Sequence, residues 1–258
     1  MLNGRSPTIP ARWLQHPFVT RLKSYIDVAP GDLEALWRLI EADLLVKKRR
    51  DLVIDGYEYR KLCFVEEGFA ARYKLLHNGK RQIVNFILPG DIVGMPGSFL
   101  QKAPYSVIAV TDIKLQMCPI EAYVELCYKR PLFGLALSWL AVHEAAICAE
   151  HVISTGRRNP VERLAHLLLE IYSRLEMAGQ ASQARFDLPF SQEIMSDALG
   201  LSVPHLNRTL AKLRADDLIK INGRCIEFPN LEALEMLGQF QPFNLARVPL
   251  PQGMTKVL

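Results

Sequence analysis

At Pro131 the hydrophobic period of the chain changes, and this switch limits the folds open to it. From 44 to about 118, short alternating runs are separated by turn residues: "LLVKKRRDLVI", "KLCFVEEGFAARYKLLHNGKRQIVNFILPGDIVG" and "YSVIAVTDIKLQMC". A period of two places alternate side chains on opposite faces of a strand. "HNGK" at 77–80 puts Asn-Gly between two such runs. That is a hairpin signal, because a type I′ turn needs positive φ at both central residues. Strands this short and regular predict an antiparallel barrel or roll. Beyond Pro131, Leu132, Leu135, Trp139, Val142, Ala146, Ala149 and Ile153 step by three and four in turn, the spacing of a coiled-coil seam. Leu137, Leu140 and Ile147 give the same helix a second apolar face. Two apolar faces need two neighbours. One is expected to be the roll and the other a second copy of the chain, with a fully buried helix in a monomer as the alternative.

The bulk properties narrow the class. The chain has 258 residues, half of them hydrophobic, enough for one large domain or two smaller ones with a sizeable core. No uninterrupted apolar run reaches the roughly 18 residues of a membrane span; "LFGLALSWLAV" (132–142) stops at His143 and Glu144. "MLNGRSPTIPARW" has no apolar stretch behind its arginines, so no secretory signal is read and a cytoplasmic protein is expected. Five cysteines, at 63, 118, 127, 148 and 225, are scattered and form no CxxC pair. A disulfide framework or structural zinc is therefore not expected, and buried free thiols are. Net charge is only +4, and residues 157–232 hold ten basic and ten acidic side chains. Any argument for nucleic acid must rest on local placement.

Residues 30–42, "PGDLEALWRLIEA", read as an amphipathic helix on Leu33, Leu36, Trp37 and Ile40. "STGRRNP" (154–160) reads as a hinge, "PVERLAHLLLEIYSRLEMAG" (160–179) as a helix and "QASQARFDLP" as a loop. Then comes "SQEIMSDALGLSVPHLNRTLAKLRADDL" (191–218). Ser191 suits the N-cap of a helix over 192–199, and Gly200 suits a left-handed C-cap. Ser202 caps a second helix with Pro204 in its first turn. Val203, Leu206, Leu210 and Leu213 give that helix a buried stripe. Pro204, His205, Asn207, Arg208, Ala211 and Lys212 then face outward. "LIKINGRCIEF" (218–228) adds a hairpin with Asn-Gly at 222–223. Helix, Gly-containing turn, helix and two-stranded wing make a winged helix-turn-helix.

The second helix, 203–214, would enter the major groove N-terminal half first. It carries Arg208, Lys212 and Arg214 and no acid. Arg208 can reach two guanine acceptors and Asn207 can pair with adenine, so these two and Pro204 are the candidate base readers. Ser191, Ser202, His205 and Lys212 are placed for phosphate oxygens.

In this order the parts resemble the cyclic-AMP receptor protein and fumarate-nitrate regulator (Crp/Fnr) family of bacterial transcription regulators, over about 30 to 230. The resemblance rests on "LPGDIVG" in the roll, on "RRNPVERLAHLLLEI", and on "GLSVPHLNRTLAKLRADDLIKINGRCIEF". It implies a homodimer that binds a pseudo-palindromic site in double-stranded DNA and contacts RNA polymerase. Cyclic-nucleotide-binding members hold ribose with a Gly-Glu pair and phosphate with an Arg-Ser pair. The corresponding candidate effector pocket here is Gly94-Met95 and Tyr105-Ser106. A cyclic phosphate needs a cation that Tyr105 does not supply, so cyclic AMP is not expected as effector. Iron-sulfur members carry an N-terminal cysteine cluster. No cysteine precedes Cys63, so no such cluster is expected. Another small-molecule effector, or none, stays open. Many members have Glu where Pro204 stands, which implies a different half-site.

The expected architecture is α+β. A helix and β-roll sensor domain fill 1–130, a dimerisation helix 131–156, a winged helix-turn-helix 157–232, and a tail 233–258. Two other classes are less favoured. An enzyme is disfavoured by the lone roll histidine, His77, and by the lack of any P-loop, G-x-S-x-G or H-E-x-x-H motif, so no catalytic or metal-binding residue is assigned. A helix-turn-helix used only as a protein interface would give no salt-dependent DNA binding.

Overall fold

The computed structural model describes residues 9–242. Helices α1 (Ala11–Leu14), α2 (Pro17–Tyr25) and α3 (Pro30–Arg38) precede the roll. Only α3 was legible from periodicity, and it ends at Arg38 rather than 42. The reason is pairing: Glu41 N donates to Met117 O at 2.9 Å, and Ala42 already lies opposite Met117 in the first strand. Strands β1 (Ala42–Val46), β2 (Asp51–Val53), β3 (Lys61–Glu67), β4 (Ala70–Leu75), β5 (Arg81–Ile87), β6 (Ile92–Val93), β7 (Ser106–Ala109) and β8 (Ile113–Pro119) follow. They form two antiparallel four-stranded sheets, ordered β1-β8-β3-β6 and β2-β7-β4-β5. The predicted roll is thus present. "HNGK" does join β4 to β5, but five residues separate the paired Leu75 and Arg81. In that longer loop only Gly79 takes positive φ (+78°), not Asn78, so the type I′ expectation is corrected.

The β3–β4 connection is tighter. Gly68 has φ +88°, and a Cβ there would sit 2.3 Å from Asp112 O. Gly68→Ala is expected to destabilise the chain by at least about 1–3 kcal/mol, since strain and a backbone clash combine. An unchanged urea midpoint would show that the turn relaxes.

Helix α4 (Ile120–Lys129) leads to α5 (Pro131–Gly156), which matches the expected long helix. Its buried stripe is Phe133, Ala136, Leu140, His143 and Ile147, turned toward the roll and α2. Of the seam residues, Leu135 (39%), Val142 (61%), Ala149 and Ile153 (46%) are exposed within one chain, as is Val152 (71%), which was not in the expected seam. Leu132, Trp139 and Ala146 are half-buried. Trp139 packs edge-on to Tyr25 with ring centroids 4.5 Å apart. The free apolar stripe is therefore rotated away from Trp139, toward Val142, Ala149 and Val152.

Helix α6 (Pro160–Met177) begins with a capping box between Asn159 and Glu162. Strand β9 (Arg185–Asp187), helices α7 (Gln192–Leu199) and α8 (Val203–Ala215), strands β10 (Lys220–Asn222) and β11 (Cys225–Glu227), and helix α9 (Leu231–Gly238) complete the described chain. Two expectations change. The wing has three strands, ordered β10-β11-β9, because part of the expected loop at 180–189 pairs with β11. Phe186 anchors it between Tyr172 and Phe228, with centroids 5.9 and 5.5 Å away. The expected start of a tail at 233 falls inside α9, whose Gly238 O lies 3.0 Å from His166 Nδ1 on α6. The rest of that tail, 243–258, lies outside the described residues.

A buried ionic network joins the two halves. Asp91 in the roll pairs with Arg21 of α2 and, at 2.6 Å, with Arg174 of α6. Arg174 also reaches Glu170 (2.8 Å), Asn85 Oδ1 (3.1 Å) and Phe86 O (2.8 Å). Glu170 in turn meets His151 Nε2 of α5 at 2.6 Å. Burial alone would raise Glu170, but His151 and Arg174 hold its pKa at about 2. Burial lowers His16 to about 4, and burial with the Arg21 and Arg174 charges lowers His143 to about 3.

These shifts have a signed consequence. His16 and His143 stay neutral in the folded chain while their unfolded counterparts take up protons near pH 6.5. Stability is therefore lost as pH falls from 6.5 toward 4. Glu170 adds a further loss as pH falls from 4.5 through about 2. His151 acts oppositely. Burial would lower it, but Glu170 raises it overall, so its contribution is lost as pH rises through that raised value. The expected net result is a urea midpoint lower at pH 5 than at pH 7. An equal or higher midpoint at pH 5 would mean that these histidines take up protons without unfolding.

Candidate nucleic-acid interface

Helix α8 is held from beneath. Leu206, Thr209 and Leu213 are buried, with Val203 and Leu210 half-buried, close to the expected stripe. Thr209 joins the buried side because its Oγ1 donates to His205 O at 2.9 Å, which satisfies the hydroxyl. Gly200 takes φ +64° and turns the chain from α7 to α8. Ser191 Oγ accepts from Ile194 N as a cap, so this candidate phosphate contact already has a structural task. Ser202 occupies the N-cap position of α8 but makes no side-chain capping bond, which corrects the cap expected there.

The outward face carries Pro204, Asn207, Arg208, Ala211 and Lys212, all exposed or half-buried at the helix edge, with His205 half-buried. Lys212 pairs with Asp216 at 3.2 Å. Asn207 Nδ2 donates to Gln192 Oε1 of α7 at 3.2 Å. Arg208 is exposed and makes no such pair among the described residues. Two neighbours escaped the sequence reading. Gln192 at the start of α7 lies beside Asn207, and Arg224 is exposed at the wing tip next to Gly223. Arg224 could have been found from its place beside the Asn-Gly turn; Gln192 needed the tertiary contact.

The candidate effector pocket has another character. Gly94 has φ +112°, and a Cβ there would fall 2.3 Å from Lys61 O. Ser106 is buried, and its Oγ accepts from Asp55 N at 3.0 Å. Tyr105 Oη donates to Met95 O. Sequence reasoning missed Arg72, which is buried here with its guanidinium 4.5 Å over the Tyr105 ring. It donates to Met95 O and to Glu144 of α5, both at 2.9 Å. A cation is thus present, but Glu144 already neutralises it. A cyclic phosphate would have to displace that carboxylate, so these residues do not fit one well.

The thiols are dispersed. Cys63 and Cys118 are buried, and burial pushes Cys118 up to about 12. Among the described residues no three His, Cys, Asp or Glu side chains converge as a metal set.

A roll, a long helix with a free apolar stripe and a winged helix-turn-helix define a class of proteins that join a β-roll domain to a helix-turn-helix domain. Two family models match: a cyclic nucleotide-binding domain over residues 45–129 and a Crp-like helix-turn-helix domain over 162–237. The chain is 30% identical to the nitrogen fixation regulation protein FixK of Rhizobium meliloti, over 74% of this chain and 84% of that one. It is 31% identical to the transcriptional activator protein FnrL of Cereibacter sphaeroides, over 62% of this chain and 65% of that one. It is 35% identical to FixK of Bradyrhizobium diazoefficiens, over 61% and 65%. The matched part thus spans slightly less than two thirds of the last two relatives. The solved structure of FixK2 from Bradyrhizobium japonicum superposes with a TM-score of 0.70 at 24% identity, covering 77% of this chain and 98% of that one. The chain belongs to the Crp/Fnr family.

Arg208→Ala is expected to weaken binding to a specific duplex by about 1–3 kcal/mol and to relax base choice at one position. Equal loss on specific and random duplexes, in a competition assay, would make Arg208 a phosphate contact instead.

Proposed function

We propose that the chain is a homodimeric transcription regulator that reads a pseudo-palindromic DNA site with α8. The observation that carries this is the outward face of α8: an exposed Arg208 beside Asn207, presented by a rigidly packed helix-turn-helix. Base reading falls to Arg208 and Asn207, with Pro204 in place of a carboxylate. Ser202, His205 and Lys212 are placed for phosphate, and Ser191 only through the helix end it caps. The second copy docks along Leu135, Val142, Ala149 and Val152 of α5. That helix is long and apolar enough to span a bilayer, but its Glu144 and Glu150 are tied to Arg72 and Arg158, at 2.9 and 2.8 Å. We therefore read its apolar stripe as a protein interface in a cytoplasmic protein.

RNA polymerase is the further partner that family membership suggests. No catalytic role is assigned. Cyclic AMP and an iron-sulfur cluster are not assigned either, since Tyr105 stands at the phosphate position, Arg72 is held by Glu144, and no cysteine precedes Cys63. Selection from random duplex DNA with the purified chain tests the reading. Enrichment of an inverted repeat, with half-site centres about one helical turn apart, is expected. Salt-independent capture, or no enrichment in buffer or cell extract, would sink it.

A further inference from the structure

A cavity of about 390 Å³ lies where β5, the C-terminal half of α5, α6 and α7 meet. It is apart from the roll interior and from the outward face of α8. Its walls are mainly apolar, with Ile83 and Phe86 from the roll, Leu167 from α6, and Ala198 and Leu199 from α7. The volume lies within the range of ~300–1,000 Å³ found for small-molecule sites.

One wall carries a cation, Arg163, with no acid beside it among the described residues. Arg163 directs one terminal nitrogen to Leu199 O at 2.5 Å and the other to Thr155 O and Arg158 O at 3.3 and 3.2 Å. These carbonyls close the ends of α7 and α5 and carry only partial charge. Arg163 Nε is buried and lacks a hydrogen-bond partner, as do the Nε atoms of Arg72, Arg158 and Arg174, but those three guanidinium groups meet carboxylates through their terminal nitrogens. Burial lowers the pKa of Arg163, and no acid offsets that effect. The fully buried arginines have carboxylates, Arg21 and Arg174 sharing Asp91 and Arg72 having Glu144, whereas the half-buried Arg163 has none among the described residues. His166, also on the cavity wall and 3% exposed, has a buried Nε2 with no hydrogen bond, 3.6 Å from Glu150 Oε2. A half-open apolar cavity with a guanidinium at its edge that meets no carboxylate suits an amphiphile with a small anionic head, which Nε–H and the remaining N–H of Arg163 are free to meet.

We propose that this cavity binds a small apolar carboxylate, with the carboxylate on Arg163 and the hydrocarbon part between Phe86, Leu167 and Leu199. Because α7 forms one wall, the occupant touches the first helix of the helix-turn-helix directly. The binding claim does not depend on which DNA sequence α8 reads, or on whether it reads any.

Calorimetric titration of octanoate into the full chain tests this, with 1-octanol as the uncharged counterpart. Saturable binding of one octanoate per chain is expected, at least about tenfold tighter than octanol (about 1.4 kcal/mol). Ala198→Leu, which fills the chamber from the α7 side, is expected to abolish binding of both probes. Arg163→Gln is expected to bring octanoate down to the affinity of octanol. If that variant fails to fold, the octanol comparison and Ala198→Leu still decide the matter. No saturable heat with octanoate, equal affinity for octanol in the unmodified chain, or undiminished binding in Ala198→Leu would each overturn the proposal.

Discussion

Replacing Arg174 by leucine is expected to lower folding stability by about 3–5 kcal/mol, because it removes the shared cation of a buried ionic network. Arg174 is 4% exposed and links α6 to the roll through Asp91, and it pairs with Glu170, which is 1% exposed. Leucine would fill much of the volume but leave two buried carboxylates with less positive charge around them. Asp91 keeps Arg21 and Glu170 keeps His151, so the lower end of that range is expected. Asn85 Oδ1 and Phe86 O would also lose a donor. Urea unfolding measures the change. A loss below about 1 kcal/mol would mean that Arg21 and His151 suffice to hold the carboxylates.

Val142→Asp is expected to separate the dimer. Val142 is 61% exposed in the single chain, so an aspartate there costs little to the fold of one copy. In a two-fold interface the substitution would place a carboxylate from each copy in an apolar seam. An uncompensated buried charge costs about 3–5 kcal/mol, which raises the dimer dissociation constant by roughly a hundredfold to a few thousandfold. DNA affinity should fall with it, because two half-site contacts no longer act as one bivalent unit. Sedimentation and circular dichroism together check this: monomers with unchanged helix content are expected. A variant that still sediments as a dimer would remove the α5 stripe as the interface. Trp139, at the centre of the heptad series, is the poorer test position because it packs on Tyr25 within its own chain.

The helix-turn-helix was the most legible part of the chain, because its signals are local. Ser191, Gly200, Pro204 and the Val203–Leu206–Leu210–Leu213 stripe each act within a few residues, and the helices occur at 192–199 and 203–215. The roll was legible as strands but not in its turns. Asn78-Gly79 marked a hairpin, while the loop length around it was decided by how β4 and β5 pair. The third wing strand was not legible, since Arg185–Asp187 is too short to show a period and is held by β11 and by Phe186 among distant aromatic rings.

Sequence by itself determined the α+β order of roll, long helix and winged helix-turn-helix. Periodicity, caps and turn residues depend on neighbours along the chain. It also determined which side of α8 faces out. Tertiary structure decided everything that depends on charges meeting across the fold. Arg72 reaches Glu144 across 72 positions of chain, Asp91 reaches Arg174 across 83, and Arg163 is left beside a cavity without an acid. It also turned the free stripe of α5 from Trp139 toward Val142 and Val152. A heptad shows that a helix has two apolar faces, but only packing against α2 and the roll fixes which one remains uncovered.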